Sequence, residues 1–301
     1  MNVLLLFLDG VGIGVQDPDV NPVFRAKLPT LQYLIGQKLF SKTRPHAFTQ
    51  HADLVPVNAT LGIAGLPQSG TGQTAIFTGV NAPRRIGRHF GPYPTAELRP
   101  IIYENNIFRR LKTHHRSVCF ANAFPQQFFD YTNSGTRRLT VTTLSCLMAN
   151  VPLLTADALL KDQAVSADLH RQRWPEMGYP NITPISALEA GRHLAEIVRS
   201  NNFTLFEYWL TDHAGHSQDM ARAVEVLERF DAFLSGILEH ANLNTTLILM
   251  ISDHGNIEDL STKSHTRNRV PCIIVGRYRR QCSNKIRNLT HITPTVLSIL
   301  A

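Results

Sequence analysis

One stretch in the second half of this chain constrains its fold more than any other. Residues 248–251 form an apolar run rich in branched side chains, and the run gives way abruptly to Asp253, His254 and Gly255. In α/β proteins a buried parallel strand delivers polar groups in this way to the carboxyl edge of a sheet, where their functional sites lie. The stretch therefore predicts a central strand of an α/β protein that ends at such a site.

Two further apolar runs, residues 3–8 and 205–210, are also followed by acidic residues. Histidines follow the second run, and another histidine lies eleven residues after His254. Aspartate and histidine together suit divalent zinc or manganese, which accept mixed oxygen and nitrogen ligands. A pair of such cations about 3.5–4 Å apart can clamp both oxygens of a phosphoryl displacement. We leave His213 outside the ligand set. The candidate metal ligands are Asp9, Asp212, His216, Asp253, His254 and His265.

Phosphoryl transfer through a covalent intermediate also requires a nucleophile, and a glycine-rich loop at residues 65–72 offers one. The loop leads into Gln73 and Thr74, which we predict to lie in the first turns of a helix. A threonine hydroxyl at a helix N-terminus is close to the partial positive charge of unpaired amides, and a bound metal would activate it further. We therefore predict Thr74 as the nucleophile. Ser69 and Thr71 are rivals in the same loop that are better suited to shaping it.

Several charged residues lie close in sequence to the candidate ligand His265. Lys263 and Arg267 are candidates for binding the phosphate of a substrate, and a solvated loop charge is the alternative for each. Glu258 and Asp259 are interpreted as surface acids rather than ligands.

Strand and helix patterns alternate through most of the chain, which predicts a mostly parallel sheet with helices on both faces. Residues 122–184 differ, because they combine prolines and aromatic clusters with helices that have no matching strands. We predict that this segment is a small lid inserted between two parts of the core, residues 1–121 and 185–301. A lid beside the site can exclude water and select the substrate.

Composition limits the classes of partner. A chain with 43% hydrophobic and 18% charged residues is expected to fold rather than to be disordered. The net charge of +7 is scattered, without a long basic tract or interleaved aromatic platforms, so it favours a solvated surface or an anionic substrate over nucleic acid. The apolar run at residues 3–8 is too short to span a membrane, and the four cysteines form no CxxC pair. We expect a cytoplasmic enzyme without a membrane partner, and the oligomeric state stays open.

Five motifs in this order resemble those of the alkaline phosphatase superfamily, and within it the branch of cofactor-independent phosphoglycerate mutase and phosphopentomutase. The similarity covers most of the chain outside the predicted lid, and the layout is closer still to bacterial proteins of the metalloenzyme family. The motifs are Asp9–Gly12, Gly70–Thr74, Asp212–His216, Asp253–Asn256, and His265–Thr266 with Val270–Pro271.

The resemblance implies a three-layer α/β/α core, two Mn²⁺ or Zn²⁺ ions, and a small phosphorylated substrate. By resemblance, one metal would be held by Asp9, Thr74, Asp253 and His254. The other would be held by Asp212, His216 and His265. Thr74 would become phosphothreonine and pass its phosphoryl group to water or to another hydroxyl.

The resemblance leaves the reaction open. Hydrolysis of a small phosphate ester is the first expectation, since a mutase must retain its substrate between two transfers and normally has a substantial cap. Phosphomutase activity is the alternative among enzymes. A non-catalytic, metal-binding regulatory protein is the alternative of another class. The residues with which the mutases recognise their substrates have no counterpart here, so the resemblance does not identify a substrate.

Overall fold

A computed structural model of the protein describes residues 1–36, 41–135 and 138–300. It contains one seven-stranded sheet with the spatial order β2-β3-β7-β6-β1-β5-β4. The strands are β1 (Asn2–Leu8), β2 (Ala47–Phe48), β3 (Ala52–Val57), β4 (Val118–Phe120), β5 (Phe203–Tyr208), β6 (Thr246–Ile251) and β7 (Val270–Gly276).

Helices lie on both faces of this sheet. They are α1 (Pro29–Ile35), α2 (Ser69–Thr78), α3 (Ala82–Ile86), α4 (Leu98–Asn105), α5 (Ile107–Thr113), α6 (Gln126–Asn133), α7 (Val141–Met148), α8 (Ala156–Leu160), α9 (Ala187–Arg199), α10 (Leu210–Ser217), α11 (Met220–His240), α12 (Arg279–Lys285) and α13 (Ile292–Leu300).

The sheet is mixed. Strands β4, β5, β1 and β6 pair in parallel, whereas β7, β3 and β2 continue the sheet by antiparallel pairing. No helix of the described chain separates β6 from β7, so the chain stays at one edge of the sheet and β7 has to return in the opposite direction. The predicted α/β fold is confirmed, but the pairing is less parallel than predicted, since three of the six strand pairs are antiparallel. The parallel part is the half of the sheet that contains β1, β5 and β6.

The core consists of two apolar layers, one on each face of the sheet. Along β1, the side chains of Val3, Leu5 and Phe7 pack in the layer that includes α2, α5 and α13, while Leu4 and Leu6 pack in the layer of α9 and α11. All five side chains are buried, which follows from the two-residue period of a strand covered on both faces. The predicted three-layer α/β/α architecture is therefore present.

Side-chain caps begin helices α5 and α9. The apolar spacing of residues 101–112 would suit one amphipathic helix, but the stretch is divided into α4 and α5, because the Asn106 side chain accepts a hydrogen bond from the Arg109 amide and starts a new helix. Helix α9 begins in the same way, since the Ser186 hydroxyl accepts a hydrogen bond from the Glu189 amide.

The predicted lid, residues 122–184, divides into two parts. Helix α7 packs into the main core, where Leu144 lies beside the side chains of α2, α4 and α5. The stretches on either side of α7 include α6 and α8, and Trp174 and Ile182 form a separate small apolar cluster with α8. We therefore keep the lid as a proposal for the flanking stretches alone and assign α7 to the core.

Among the described residues, no helix is both long and apolar enough to cross a membrane. The four cysteines are unpaired, and all but Cys119 are buried.

Candidate metal centre

The carboxyl ends of β1, β5 and β6 meet at one edge of the sheet, and all six predicted ligands lie there. Asp9 directly follows β1, and Asp253 and His254 follow β6. Asp212 and His216 lie on α10, a helix directly after β5 that the sequence pattern did not reveal. Because α10 brings residues four apart onto one face, the carboxylate of Asp212 and the Nε2 atom of His216 are 3.3 Å apart.

One ligand cluster contains Asp9, Asp253 and His254. The Nε2 atom of His254 lies 3.3 Å from Oδ1 of Asp9 and 3.5 Å from Oδ2 of Asp253. All three residues are buried. Asp9, Asp212 and His254 together offer ligand atoms that lie within 4.8 Å of one another, which is the spacing of groups that share one cation.

The second cluster contains Asp212, His216 and His265. Oδ1 of Asp212 lies 3.6 Å from Nε2 of His265, and the Nε2 atoms of the two histidines are 3.2 Å apart. The rings of His265 and His254 stack with their centroids 3.7 Å apart, so the two clusters adjoin. Because Asp212 also offers a ligand atom within 4.8 Å of those of Asp9 and His254 in the first cluster, it is the natural link between two ions.

Backbone carbonyls fix which nitrogen each histidine of the second cluster presents. The carbonyl of Lys263 lies 2.8 Å from Nδ1 of His216, and the carbonyl of Pro67 lies 2.9 Å from Nδ1 of His265. A carbonyl can only accept, so in both neutral rings Nδ1 carries the hydrogen and Nε2 keeps its lone pair. Two lone pairs 3.2 Å apart repel each other unless a cation lies between them, so this pair of histidines fits a metal ion.

Electrostatics in the first cluster lead to the same conclusion. Burial, reinforced by the charges of Asp253, Asp212 and Glu207, holds the pKa of Asp9 well above its usual value. Burial likewise raises the pKa of Asp253 to about 7. Oδ1 of Asp9 has no hydrogen-bond partner, and among the described residues no Lys or Arg forms an ion pair with these carboxylates. A divalent cation would supply the missing positive charge.

In α2 the hydroxyl of Ser69, and not that of Thr74, lies beside a ligand atom of the centre. Ser69 is the first residue of α2, and its Oγ atom lies 3.0 Å from Nε2 of His254. Thr74 lies in the second turn of α2, fully buried, and its hydroxyl donates a 2.6 Å hydrogen bond to the carbonyl of Gly70. The prediction of Thr74 at a helix N-terminus is therefore corrected, because α2 begins four residues before Gln73.

Two amide side chains that the sequence analysis did not single out support the ligands. Gln73 lies one turn after Ser69 on the same face of α2, and its Nε2 atom is 3.3 Å from Asp253 and 3.5 Å from Asp9. Asn256 donates a 2.7 Å hydrogen bond to Oδ1 of Asp212. Both are neutral donors to carboxylates, so they orient the oxygens without adding charge.

Glu258 is wholly buried, which corrects its interpretation as a surface acid. Its Oε2 atom accepts hydrogen bonds from the amides of Gly12 at 2.9 Å and Asn256 at 2.7 Å, and its Oε1 atom accepts from the side chains of Thr266 and Asn268. These partners lie in the three segments that carry Asp9, Asp253 and His265. Glu258 therefore ties the metal-ligand loops together.

The predicted phosphate contacts lie at the exposed rim of the centre. Lys263 orients His216 through its carbonyl, and Arg267 donates a 3.1 Å hydrogen bond from Nε to the carbonyl of Gly65. Both side chains are exposed. The structure therefore places both residues beside the metal ligands, and their role in phosphate binding stays a prediction.

Comparison with known proteins finds sequence relatives for part of this chain. Residues 176–301 match the family model described as the Metalloenzyme superfamily. The 2,3-bisphosphoglycerate-independent phosphoglycerate mutase of Moorella thermoacetica is 29% identical over 128 residues, which are 40% of this chain and 25% of that protein. The mutase of Thiobacillus denitrificans is 29% identical over 136 residues, which are 42% and 26% of the two chains. The match thus spans about a quarter of the length of these relatives.

Solved structures with the same fold cover nearly the whole chain. The PH0037 protein of Pyrococcus horikoshii has a TM-score of 0.59 and 12% identity, and the match covers 99% of this chain and 97% of that one. Alkaline phosphatase from the Antarctic bacterium TAB5 has a TM-score of 0.55 and 13% identity, with coverage of 99% and 98%.

The solved structures and the family match agree with the resemblance found in the sequence, since the chain has the α/β fold of alkaline phosphatase. The match to the metalloenzyme superfamily is to residues 176–301.

Proposed function

We propose that this protein is a metal-dependent phosphoryl-transfer enzyme that acts on a phosphate monoester through a phosphoserine at Ser69. The observation that carries the proposal is the position of the Ser69 hydroxyl, at the first residue of α2 and 3.0 Å from a histidine of the first ligand cluster. Two divalent cations, Mn²⁺ or Zn²⁺, would be held by Asp9, Asp253 and His254 and by Asp212, His216 and His265. Bound there, they would lower the pKa of a coordinated hydroxyl and neutralise the charge of a phosphate.

Each part of the site has a separate role in the two steps of the proposed reaction. The Ser69 hydroxyl gives up its proton to solvent as its oxygen attacks phosphorus, the bond from phosphorus to the alcohol oxygen breaks, and the alcohol leaves with a proton from solvent. Water then attacks the phosphoserine, which releases inorganic phosphate and restores the hydroxyl. The first turn of α2 presents amide groups and the positive end of the helix dipole to the phosphate. Lys263 and Arg267, at the exposed rim, add positive charge on the approach.

We place hydrolysis before mutase chemistry because the stretches that flank α7 form only a small lid. A phosphomutase of the phosphoglycerate mutase or phosphopentomutase type is the alternative, and the curated relatives are named as such mutases. Incubation of the Mn²⁺-loaded and Zn²⁺-loaded protein with a panel of phosphate esters separates the two. Free phosphate indicates a hydrolase, and an isomeric phosphate ester indicates a mutase.

The nucleophile is tested with two matched variants of α2. Ser69→Ala removes the proposed nucleophile, and we expect kcat for p-nitrophenyl phosphate to fall by about three orders of magnitude or more. Thr74→Val removes a hydroxyl of the same helix whose one hydrogen bond to the described residues is to the carbonyl of Gly70. We expect it to retain activity and to lose about 1 kcal/mol of stability.

Mass spectrometry of the acid-quenched reaction should find phosphate on the peptide that contains Ser69. A wild-type rate in the Ser69→Ala protein, with the metal content unchanged, would refute the assignment. Loss of activity in Thr74→Val alone would restore Thr74 as the nucleophile. A protein that binds metal but releases no phosphate from any ester would favour the non-catalytic regulatory alternative.

The four unpaired cysteines support a reducing compartment, and we propose the cytoplasm.

A further inference from the structure

A cavity of about 690 Å³ opens between the metal centre and the stretches that flank α7. Asp9 lies at its inner end, so an ester whose phosphate occupies the metal centre would extend its alcohol part into this cavity. Three aromatic side chains from the flanking stretches and one from the core line it: Phe124, Phe128, Trp174 and Trp209.

The aromatic walls are held in place by contacts with one another and with neighbouring side chains. Phe124 and Phe128 stack with ring centroids 4.3 Å apart and an angle of 22° between planes, and Phe124 also rests on Phe120 of β4 at 5.7 Å. Trp174 donates a 2.8 Å hydrogen bond from its indole nitrogen to Ser166. Rings fixed in this way lose little conformational entropy when they bind a ligand.

The size of the cavity argues against a short aliphatic substrate. Pockets of about 300–1,000 Å³ enclose ligands of drug size, whereas a three-carbon acid or a pentose would leave most of this space to water. Sugars are recognised by dense polar contacts, but the surface that the walls expose to this cavity is mainly apolar. Arg173 and Arg222 are exposed at the rim, where they favour the approach of an anion.

We propose that this cavity binds the alcohol part of the substrate and that this part carries a planar ring, as in a nucleoside monophosphate. The inference rests on the proposed function, since the phosphate defines which end of the ligand meets the metal centre. Stacking on Phe124 and Phe128 then selects ring-bearing phosphate monoesters over ringless ones.

Binding to the metal-loaded Ser69→Ala protein tests this selection without turnover. Adenosine 5′-monophosphate and ribose 5-phosphate share the phosphate and the pentose and differ by the ring, and cytidine 5′-monophosphate and benzyl phosphate vary the ring itself. By isothermal titration calorimetry, we expect at least one ring-bearing ester to bind about tenfold more tightly than ribose 5-phosphate, the gain of one stacked ring.

Variants of the aromatic cavity wall test which side chain causes the preference for ring-bearing esters. Phe128→Leu should weaken the preferred ring-bearing ester by about tenfold and leave ribose 5-phosphate unchanged. Phe48→Leu is the matched control, because Phe48 is an exposed phenylalanine on β2, at the opposite edge of the sheet, and should change neither affinity. If Phe128→Leu does not fold, Trp209→Leu takes its place, since Trp209 is 39% exposed.

Equal affinities for ring-bearing and ringless esters would overturn the inference, as would no measurable binding of any ring-bearing ester. A loss in Phe128→Leu that is equal for both ligands would also overturn it. These outcomes differ from failure of the proposed function, which would appear as the absence of phosphate release by the wild-type protein while the ring preference in binding persists.

Discussion

The strongest stability prediction concerns Glu258, the buried acid that joins the three ligand-bearing segments. In Glu258→Gln the side chain keeps its shape but retains one acceptor oxygen. Either the amides of Gly12 and Asn256 or the side chains of Thr266 and Asn268 would then face an NH₂ group. Two hydrogen bonds to a charged acceptor are lost at about 1.5–3 kcal/mol each, so the free energy of unfolding should fall by roughly 3–6 kcal/mol.

Thermal unfolding of the metal-free protein measures this loss. At about 2.1 cal/mol/K per residue, the unfolding entropy of a chain of this length converts the loss into a Tm decrease of roughly 5–10 °C. Asp259→Asn is the matched control and should shift Tm by less than about 1 °C, because the side chain of that partly exposed neighbour accepts hydrogen bonds from Ser261, which an asparagine oxygen can also accept. A Glu258→Gln protein that melts with the wild type would refute the claim that Glu258 ties the loops together.

Three further predictions follow from the same structure. The pKa of Asp253 is raised from 3.8 to about 7, and a carboxyl that holds its proton more tightly in the folded than in the unfolded chain destabilises the fold as pH rises. In urea titrations the metal-free protein should therefore be less stable at pH 8 than at pH 5. Saturating Mn²⁺ should remove this loss of stability. Asp253→Asn should raise the Tm of the metal-free protein and lower that of the metal-loaded one; the same sign in both states would contradict the role of the cation. Gly191→Ala would place a methyl group 2.1 Å from the carbonyl oxygen of Phe233, so it should separate α9 from α11 and cost about 1–3 kcal/mol in urea unfolding, whereas an unchanged midpoint would show that the helices can adjust.

The ligand strands were predictable because their signal is local. An uninterrupted apolar run followed by an acid needs no tertiary information, and it located β1, β5 and β6 together with Asp9 and Asp253. The direction of β7 was less accessible, since it depends on the chain remaining at one edge of the sheet after β6 rather than on the residues of β7 itself.

The position of the proposed nucleophile could not be predicted from the sequence, for a specific physical reason. Gly70 and Gly72 are poor helix formers, so local propensity placed the helix start after them. In the structure both glycines are helical, and glycine is required at each position by lack of space. A Cβ atom at Gly70 would lie 2.5 Å from the carbonyl oxygen of Tyr93, and one at Gly72 would lie 3.0 Å from Cβ of Asp253. These close approaches, invisible in the sequence, place Ser69 at the first turn.

The burial of Glu258 could not be predicted from the sequence for a similar reason. Its partner Gly12 lies 246 positions away in the chain, so an acid in a polar stretch gave no local sign that it was enclosed. The lid boundary also depended on tertiary packing, because the apolar face of α7 could have met either a separate cap or the main core.

The central claim is that the two ligand clusters hold two divalent ions, and metal content tests it most directly. Chelator-treated protein that is reloaded with Mn²⁺ or Zn²⁺, desalted and analysed by plasma mass spectrometry should contain two ions per chain. His216→Ala and His254→Ala, each missing a ligand of one cluster, should contain about one. Wild-type protein that retains no ion, or variants that retain as many ions as the wild type, would contradict the account.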